Sequence, residues 1–426
     1  VEGVYPMLNI EQEEALHRMK DFLASPRMFF LLQGYAGTGK TYTMQELVRR
    51  VQGCMIFTAP TNKATKVLRE VFRDEDFGDY YEPECRTIYS LLGLQLKANG
   101  EVKELTKPED PVDLHRYKAV VVDEASMINS NLWKYINQTV KEQKVKFIFM
   151  GDAAQLPPVG EARSPVWEIE DTMGLEKVMR HDNQILTLAT SLRKVVDHPA
   201  PSVALFSDNE NGEGVWRLPV HMFEEQIVRE AEAGNFSAIG KVKAIAWRNV
   251  TVEKLNALIR RKIFKEPGEY FPEDRVIMME PAKDFAGGDT LASTDSEGTI
   301  ERSVEAYHPI YGEFKCHRLV VFMDEGHPIT LWVLHAQSAA AFHKKLSDLA
   351  EYAKANRRLW KDYWAFKEAF HSIRYGYAIT AHRAQGSTYD KVFVNTADIL
   401  ANRNRQEAFR CLYVACTRPR KQLVLT

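Results

Sequence analysis

Gly34-Tyr35-Ala36-Gly37-Thr38-Gly39-Lys40-Thr41 fits the pattern G-x-x-x-x-G-K-[ST] in full. Its glycines let backbone N–H groups curl around phosphate oxygens without a Cβ clash. Lys40 is placed to neutralise the terminal phosphates of a nucleotide, and Thr41 to hold Mg2+. The apolar run Met28–Gln33 before the loop and the helical pattern after it complete a strand–loop–helix frame, and the helix offers its positive N-terminus. A hydrolase also needs a carboxylate on the metal side and a group that acts on water. Ala119-Val120-Val121-Val122-Asp123-Glu124 ends in both: Asp123 is expected to bind Mg2+ through water, and Glu124 to polarise the attacking water. A third apolar run leads into Gly151-Asp152-Ala153-Ala154-Gln155, where Gln155 is within reach of the γ-phosphate or the water. Transition-state charge calls for further cations, and arginine suits because it is always charged and forks onto two oxygens. Residue type alone does not choose among the arginines.

The elements that must hold these residues read as strands and helices in alternation. Met28–Gln33, Cys54–Ala59, Ala119–Val122 and Phe147–Met150 are short, apolar and flanked by turn residues. Amphipathic stretches such as Thr41–Val51 and Asn62–Phe72 lie between them. The pattern predicts an α/β fold with a parallel sheet covered by helices. Val242–Trp247, Lys391–Thr396 and Gln422–Leu425 predict a second sheet of the same design. Two stretches depart from it. Residues 95–103 alternate about an Asn99-Gly100 pair, which predicts a β-hairpin. Residues 275–335 are rich in β-branched residues and turns, with strands expected at Arg275–Met279 and Arg318–Met323, and helical sequence follows from Ala336 to Ile373. In that helical part Trp360, Tyr363, Trp364, Phe366 and Phe370 fall at spacings that predict a packed apolar stripe rather than a base-stacking platform.

Composition limits the class. Lys+Arg is 56 and Asp+Glu is 58, so attachment of the whole molecule to a polyanion by net charge is excluded, and any such binding needs a local groove. Basic segments exist: residues 341–374 hold eight Lys/Arg against four Asp/Glu, and residues 383–421 hold eight against three. Five scattered cysteines do not make a disulfide scaffold or a zinc site and fit a reducing compartment, so a cytoplasmic location is expected. No secretory signal and no membrane span are read in the chain.

Seven ordered segments together resemble a superfamily 1 helicase of the RecD-like subgroup. They are Gly34–Thr41, Ala59-Pro60-Thr61-Asn62-Lys63-Ala64, Asp123-Glu124-Ala125-Ser126, Gly151–Val159, Gly376–Ser387 and Leu412–Arg418, with Gln12 in Leu8–Gln12 ahead of them. The resemblance covers nearly the whole chain. It implies two RecA-like domains, the first from residues 1–90 and 116–183, the second from 184–272 and 374–426. It further implies a hairpin insert at 91–115 that serves as a strand-splitting pin, and an SH3-like β plus helical insert at 273–373. From the residues alone Gln12 reads as a helix-surface glutamine. The resemblance implies that it reads the adenine edge. It also implies that Gly37, Thr38, Gly39 and Gly386 help bind ATP, and that Arg180 and Arg418 meet the γ-phosphate from the two domains.

A motor must also hold its polymer. Pro60, Thr61, Asn62, Lys63 and Thr87 follow strands or begin helices, where hydroxyls and amides suit phosphate oxygens. Thr380, His382, Arg383 and Ser387 offer a matching surface in the second domain. Tyr89 stands where the family has histidine, and its ring suits base stacking. The resemblance thus implies a monomer that binds single-stranded and fork DNA, hydrolyses ATP with Mg2+, and moves 5′ to 3′. An RNA helicase of the same superfamily and a nucleotide-gated ATPase that grips a strand without unwinding remain the alternatives. No guanine-reading Asn-Lys-x-Asp is present in the sequence.

Overall fold

Short apolar runs become the strands of two parallel sheets. The computed structural model describes the 426-residue chain except residues 1–7, 52, 74–82, 109, 178–183, 198–202, 266–267, 285–287 and 289. The first sheet has the order Glu84–Thr87, Met55–Ala59, Ala119–Val122, Lys146–Gly151, Phe29–Gly34, Thr172–Leu175, all parallel. Met55–Ala59 and Ala119–Val122 are buried at every position. A strand covered on both faces has no polar side to show, which is why these runs are continuous rather than alternating. Helices Ile10–Ala24, Lys40–Arg50 and Asn62–Arg73 cover one face through Leu16, Met44, Leu47 and Leu68. Helix Ser130–Gln143 covers the other through Leu132 and Ile136. Each such side chain, fully buried, stabilises the fold by about 1.5–3 kcal/mol relative to exposure.

The second sheet runs Ala378–Thr380, Val242–Ala246, Tyr389–Val394, Pro419–Leu425, Glu213–Arg217, with Asp208–Glu210 antiparallel at the edge. A third, antiparallel sheet joins Pro328–Leu334, Lys315–Met323, Glu297–Tyr307, Arg275–Met278 and Ile373–Tyr375. Helices Ala339–Ala355 and Trp360–Glu368 follow it. The aromatic stripe is packed, as expected: Phe366 and Phe370 meet Phe314 at centroid distances of 5.4 and 5.5 Å, and Trp360 and Tyr363 are buried.

The hairpin forms from Gln95–Asn99 and Val102–Thr106, but its turn is displaced by one residue. Asn99 pairs with Val102, so the two-residue loop is Gly100-Glu101, with positive φ at Gly100 (67°). Glycine at the first loop position is the demand of a type II′ turn, whereas Asn-Gly at both would make type I′. The first strand is exposed throughout, and an isolated two-stranded ribbon is marginal in water. Its tip is fastened elsewhere: Trp364 Nε1 donates to Gly100 O at 3.0 Å, and Lys103 pairs with Glu368 and lies over the Trp364 ring. Among the described residues no helix is long and apolar enough to cross a membrane.

Candidate nucleotide cleft and strand-binding face

Strand Phe29–Gly34 delivers the phosphate loop, and helix Lys40–Arg50 leaves it. Gly37 and Gly39 take φ of 84° and 79°, in the left-handed region that glycine enters without penalty. Gly39 is the helix N-cap and brings no side chain, so no side-chain cap occupies the first amides of the helix. A Cβ on Gly34 would stand 2.7 Å from Thr38 Oγ1, which donates to Tyr35 O at 2.9 Å. Lys40 Nζ donates to Gly34 O and Tyr35 O at 2.6 and 3.1 Å. Thr41 lies in the first turn of the helix, half-buried. Gln12 is buried beneath the loop. Its Nε2 donates to Thr38 O at 3.2 Å, and its Oε1 accepts from Asn9 N at 3.0 Å in a capping box. In this conformation the expected adenine reader props the loop.

The next two strand ends form the floor. Asp123 Oδ1 accepts from Glu124 N at 2.8 Å, and Glu124 takes a left-handed φ of 52°. Burial and then the neighbouring Asp123 charge raise the Glu124 carboxyl to about 7, against the pull of Arg418 and Lys40. Burial likewise raises Asp123 and Asp152. Lys40, after the first strand of one sheet, and Arg418, before the last strand of the other, both favour the charged form of the Glu124 carboxylate.

The far wall is helix Arg405–Cys416 and the residues just past it. Arg418 is buried, donating to Val414 O (2.9 Å), Ser387 O (3.2 Å) and Thr417 Oγ1 (2.9 Å). Tyr413 OH donates to Asp152 Oδ2 at 2.5 Å and accepts from Ala36 N in the phosphate loop at 3.4 Å. Gln385 Nε2 donates to Ser126 Oγ and to Gln155 Oε1 at 3.0 and 3.1 Å, so Gln155 is tied across the crevice. Arg410 Nη1 donates to Ala153 O and Gln155 O, and the Arg193 guanidinium lies 3.3 Å from the centre of the Tyr35 ring. Sequence reading missed Asp152, Tyr413, Gln385, Arg410 and Arg193. Three of them lie inside the recognised segments, but the partner of each is over two hundred residues away. Arg180 lies outside the described residues.

The expected strand contacts divide into caps and ion pairs. Thr87 Oγ1 caps the turn Ile88–Leu91, and Thr380 Oγ1 caps Ala381–Ala384. Thr61 Oγ1 accepts from Ala64 N at 3.2 Å. Tyr89 packs against the first core, its hydroxyl pKa raised by burial, and is no open stacking platform in this conformation. Pro60 and Asn62 are half-buried at the face. Lys63 pairs with Glu297 at 2.7 Å, Arg383 pairs with Asp295, and His382 stands 3.6 Å from Glu407. Ser387 is buried, and its Oγ has no partner among the described residues. Gly386, expected at the nucleotide, instead faces the strand side: a Cβ there would stand 3.4 Å from Ala64 Cβ and 3.7 Å from Thr61 Oγ1. The recognition segments of the two sheets thus abut.

Residues 7–209 match the family model described as AAA domain, and residues 375–426 match UvrD-like helicase C-terminal domain. The ATP-dependent DNA helicase dda of Enterobacteria phage T4 is 24% identical over 459 residues, covering 96% of this chain and 97% of the phage protein. An uncharacterized protein of Acanthamoeba polyphaga mimivirus is 23% identical over 496 residues, covering 98% and 99%. In the solved structures, Pif1 helicase from Bacteroides with ADP-AlF3 and ssDNA shares the fold at a TM-score of 0.50 and 16% identity, over 99% of this chain and 92% of that one. A Pif1 structure solved for unwinding at forked dsDNA aligns at 0.51 over 98% and 92%, again at 16% identity. Ordered motifs, paired parallel sheets and these matches support a superfamily 1 helicase. In sequence the chain is similar to the phage helicase dda, and in fold to Pif1.

Proposed function

We propose that the chain is an ATP-dependent DNA helicase that moves 5′ to 3′ on single-stranded DNA and opens duplex ahead of it. One observation carries the reading: Tyr413, on the helix that leads to Arg418, bridges Asp152 and the Ala36 N–H of the phosphate loop that holds Lys40, so the two cations share one crevice. Backbone N–H groups around Gly37 and Gly39, with Lys40, suit the phosphates of ATP. Thr41 and Asp123 supply the hard oxygen donors that suit Mg2+, Asp123 through water, and the ion would neutralise phosphate charge. Glu124, once ionised, orients the attacking water and accepts its proton. Arg418 meets the charge that develops as the bond to the leaving phosphate oxygen breaks. Because Arg418 belongs to the second lobe, its grip depends on how the lobes approach, which couples hydrolysis to relative motion.

We assign the first lobe to 1–90 and 116–183, and the second to 184–272 and 374–426, with 91–115 and 273–373 as inserts. The hairpin Gln95–Thr106, held at its tip by Trp364, is the proposed wedge. The test uses duplexes with only a 5′ or only a 3′ single-stranded tail, of DNA or RNA. ATP-dependent opening from the 5′ DNA tail is expected. Opening from the 3′ tail alone reverses the direction, and stimulation by RNA alone reassigns the substrate. Removing residues 97–104 is expected to abolish opening while strand-stimulated ATPase survives; survival of both removes the wedge.

A further inference from the structure

Two of the cations expected to hold phosphates, Lys63 and Arg383, are already held by carboxylates in or just before a strand of the third sheet. Lys63 pairs with Glu297 Oε1 at 2.7 Å, Lys66 Nζ donates to Asp324 O at 2.9 Å, and Arg383 pairs with Asp295. Asp295 and Glu297 are two residues apart, yet they reach one cation from each recognition segment. A tight turn aims them: Asp295 takes a left-handed φ of 66°, its N–H donates to Met278 O at 3.0 Å, and Ser296 N donates to Ser293 O at 3.2 Å. Beside them a groove of about 520 Å3 is lined by Asn62, Lys66, Arg69, Ser293 and Ser296.

We propose that Asp295 and Glu297 stand in for backbone phosphates, holding Lys63 and Arg383 until single-stranded DNA exchanges its own phosphate oxygens for theirs. The inference rests on the helicase reading.

The local charge count explains why exchange is feasible. Lys63, Lys243 and Arg275 share Glu297, and Arg275 also pairs with Asp324 at 2.6 Å. Three cations thus face two carboxylates. If Lys63 leaves for a phosphate, Glu297 keeps Lys243 at 2.8 Å and Arg275 at 3.3 Å, and no buried charge is stranded. Lys63 is the surplus cation. Burial alone would lower its pKa, but Glu297 and other neighbours hold it above the ordinary value, so it stays charged for either partner. The Arg383–Asp295 pair keeps about a quarter of each side chain exposed (25% and 28%), and pairs that reach water contribute little net stability. A phosphate that replaces such a carboxylate meets small resistance. Rejection of strands that cannot supply closely spaced phosphates follows from the same exchange.

The test measures binding of fluorescent oligo-dT to the full chain by anisotropy, without nucleotide. Asp295→Asn tolerates the left-handed backbone and removes only the competing charge. It is expected to tighten binding by about 1.5-fold to fivefold, the range of a partly exposed ion pair. Lys63→Gln is expected to weaken binding while leaving the melting temperature unchanged or higher, because it removes the surplus cation. A purely structural bridge would lower the melting temperature in both variants and leave affinity where it was. Wild type that binds while Asp295→Asn binds no tighter overturns this inference alone. Wild type that does not bind the oligonucleotide overturns the helicase reading and this inference with it.

Discussion

The proposed nucleotide cleft and the proposed strand-binding face both carry cations suited to phosphates, and they prepare them differently. In the cleft, Lys40 and Arg418 hydrogen-bond to neutral oxygens: carbonyls of Gly34, Tyr35, Val414 and Ser387, and the Thr417 hydroxyl. On the strand face, Lys63 and Arg383 are paired with carboxylates. Neutral oxygens orient a cation without forming an ion pair with it, so Lys40 and Arg418 need break no salt bridge to meet an incoming triphosphate. Carboxylates cancel it, so the strand must compete for its seat. A small ligand needs a preformed pocket, whereas a polymer that is gripped and released at each step is better served by balanced exchange.

The largest effect that would break this contrast belongs to Arg418→Ala. ATP turnover is expected to fall by about 10³–10⁵, the range for an arginine that meets transition-state charge. Oligo-dT affinity is expected to change little, as read by anisotropy; parallel losses would merge the two regions into one. Glu124→Gln comes next, with a loss of about 10²–10⁴ in turnover, the usual worth of a positioned base. Tyr413→Phe sharpens the contrast from the cleft side. It leaves buried Asp152 one charge-assisted bond short, an expected cost of about 1.5–3 kcal/mol in denaturant unfolding.

The smallest effect is that of pH. Burial and Asp123 raise Glu124 to about 7, and the base must be ionised. Turnover at low ATP should therefore be full above that value and fall as pH drops through it, toward tenfold per unit. A profile flat from pH 8 to 5.5 would remove Glu124 as the base.

Legibility followed the range of the interaction. The phosphate loop was readable because positive φ at Gly37 and Gly39 is a local demand met by local residue choice. Continuous apolar runs revealed both parallel sheets for a similar reason, with ends shifted by up to three residues, as with Met28–Gln33 against Phe29–Gly34. The hairpin was visible, though its turn sits one residue later. Gln12 shows a missed local signal: Asn9 three residues before it is a capping-box spacing, readable without any structure. Partner choice was not readable. Lys63 and Glu297 are 234 residues apart, and Asp152 and Tyr413 are 261 apart. Nothing near Lys63 announces that a carboxylate from another sheet will reach it, so residue type could suggest a phosphate contact but not the acid that pairs with it here.

The fastening of Gly100 to Trp364 has a mechanical outcome. The ribbon is rooted in the first lobe, while the Trp360–Glu368 helix leads within a few residues to Ile373–Tyr375 and on to the second sheet. The polypeptide therefore forms a closed frame with the interlobe crevice as one joint. A load on the ribbon's tip would be carried by two supports instead of a cantilever, and a hinge movement at the crevice would be felt at that tip as displacement.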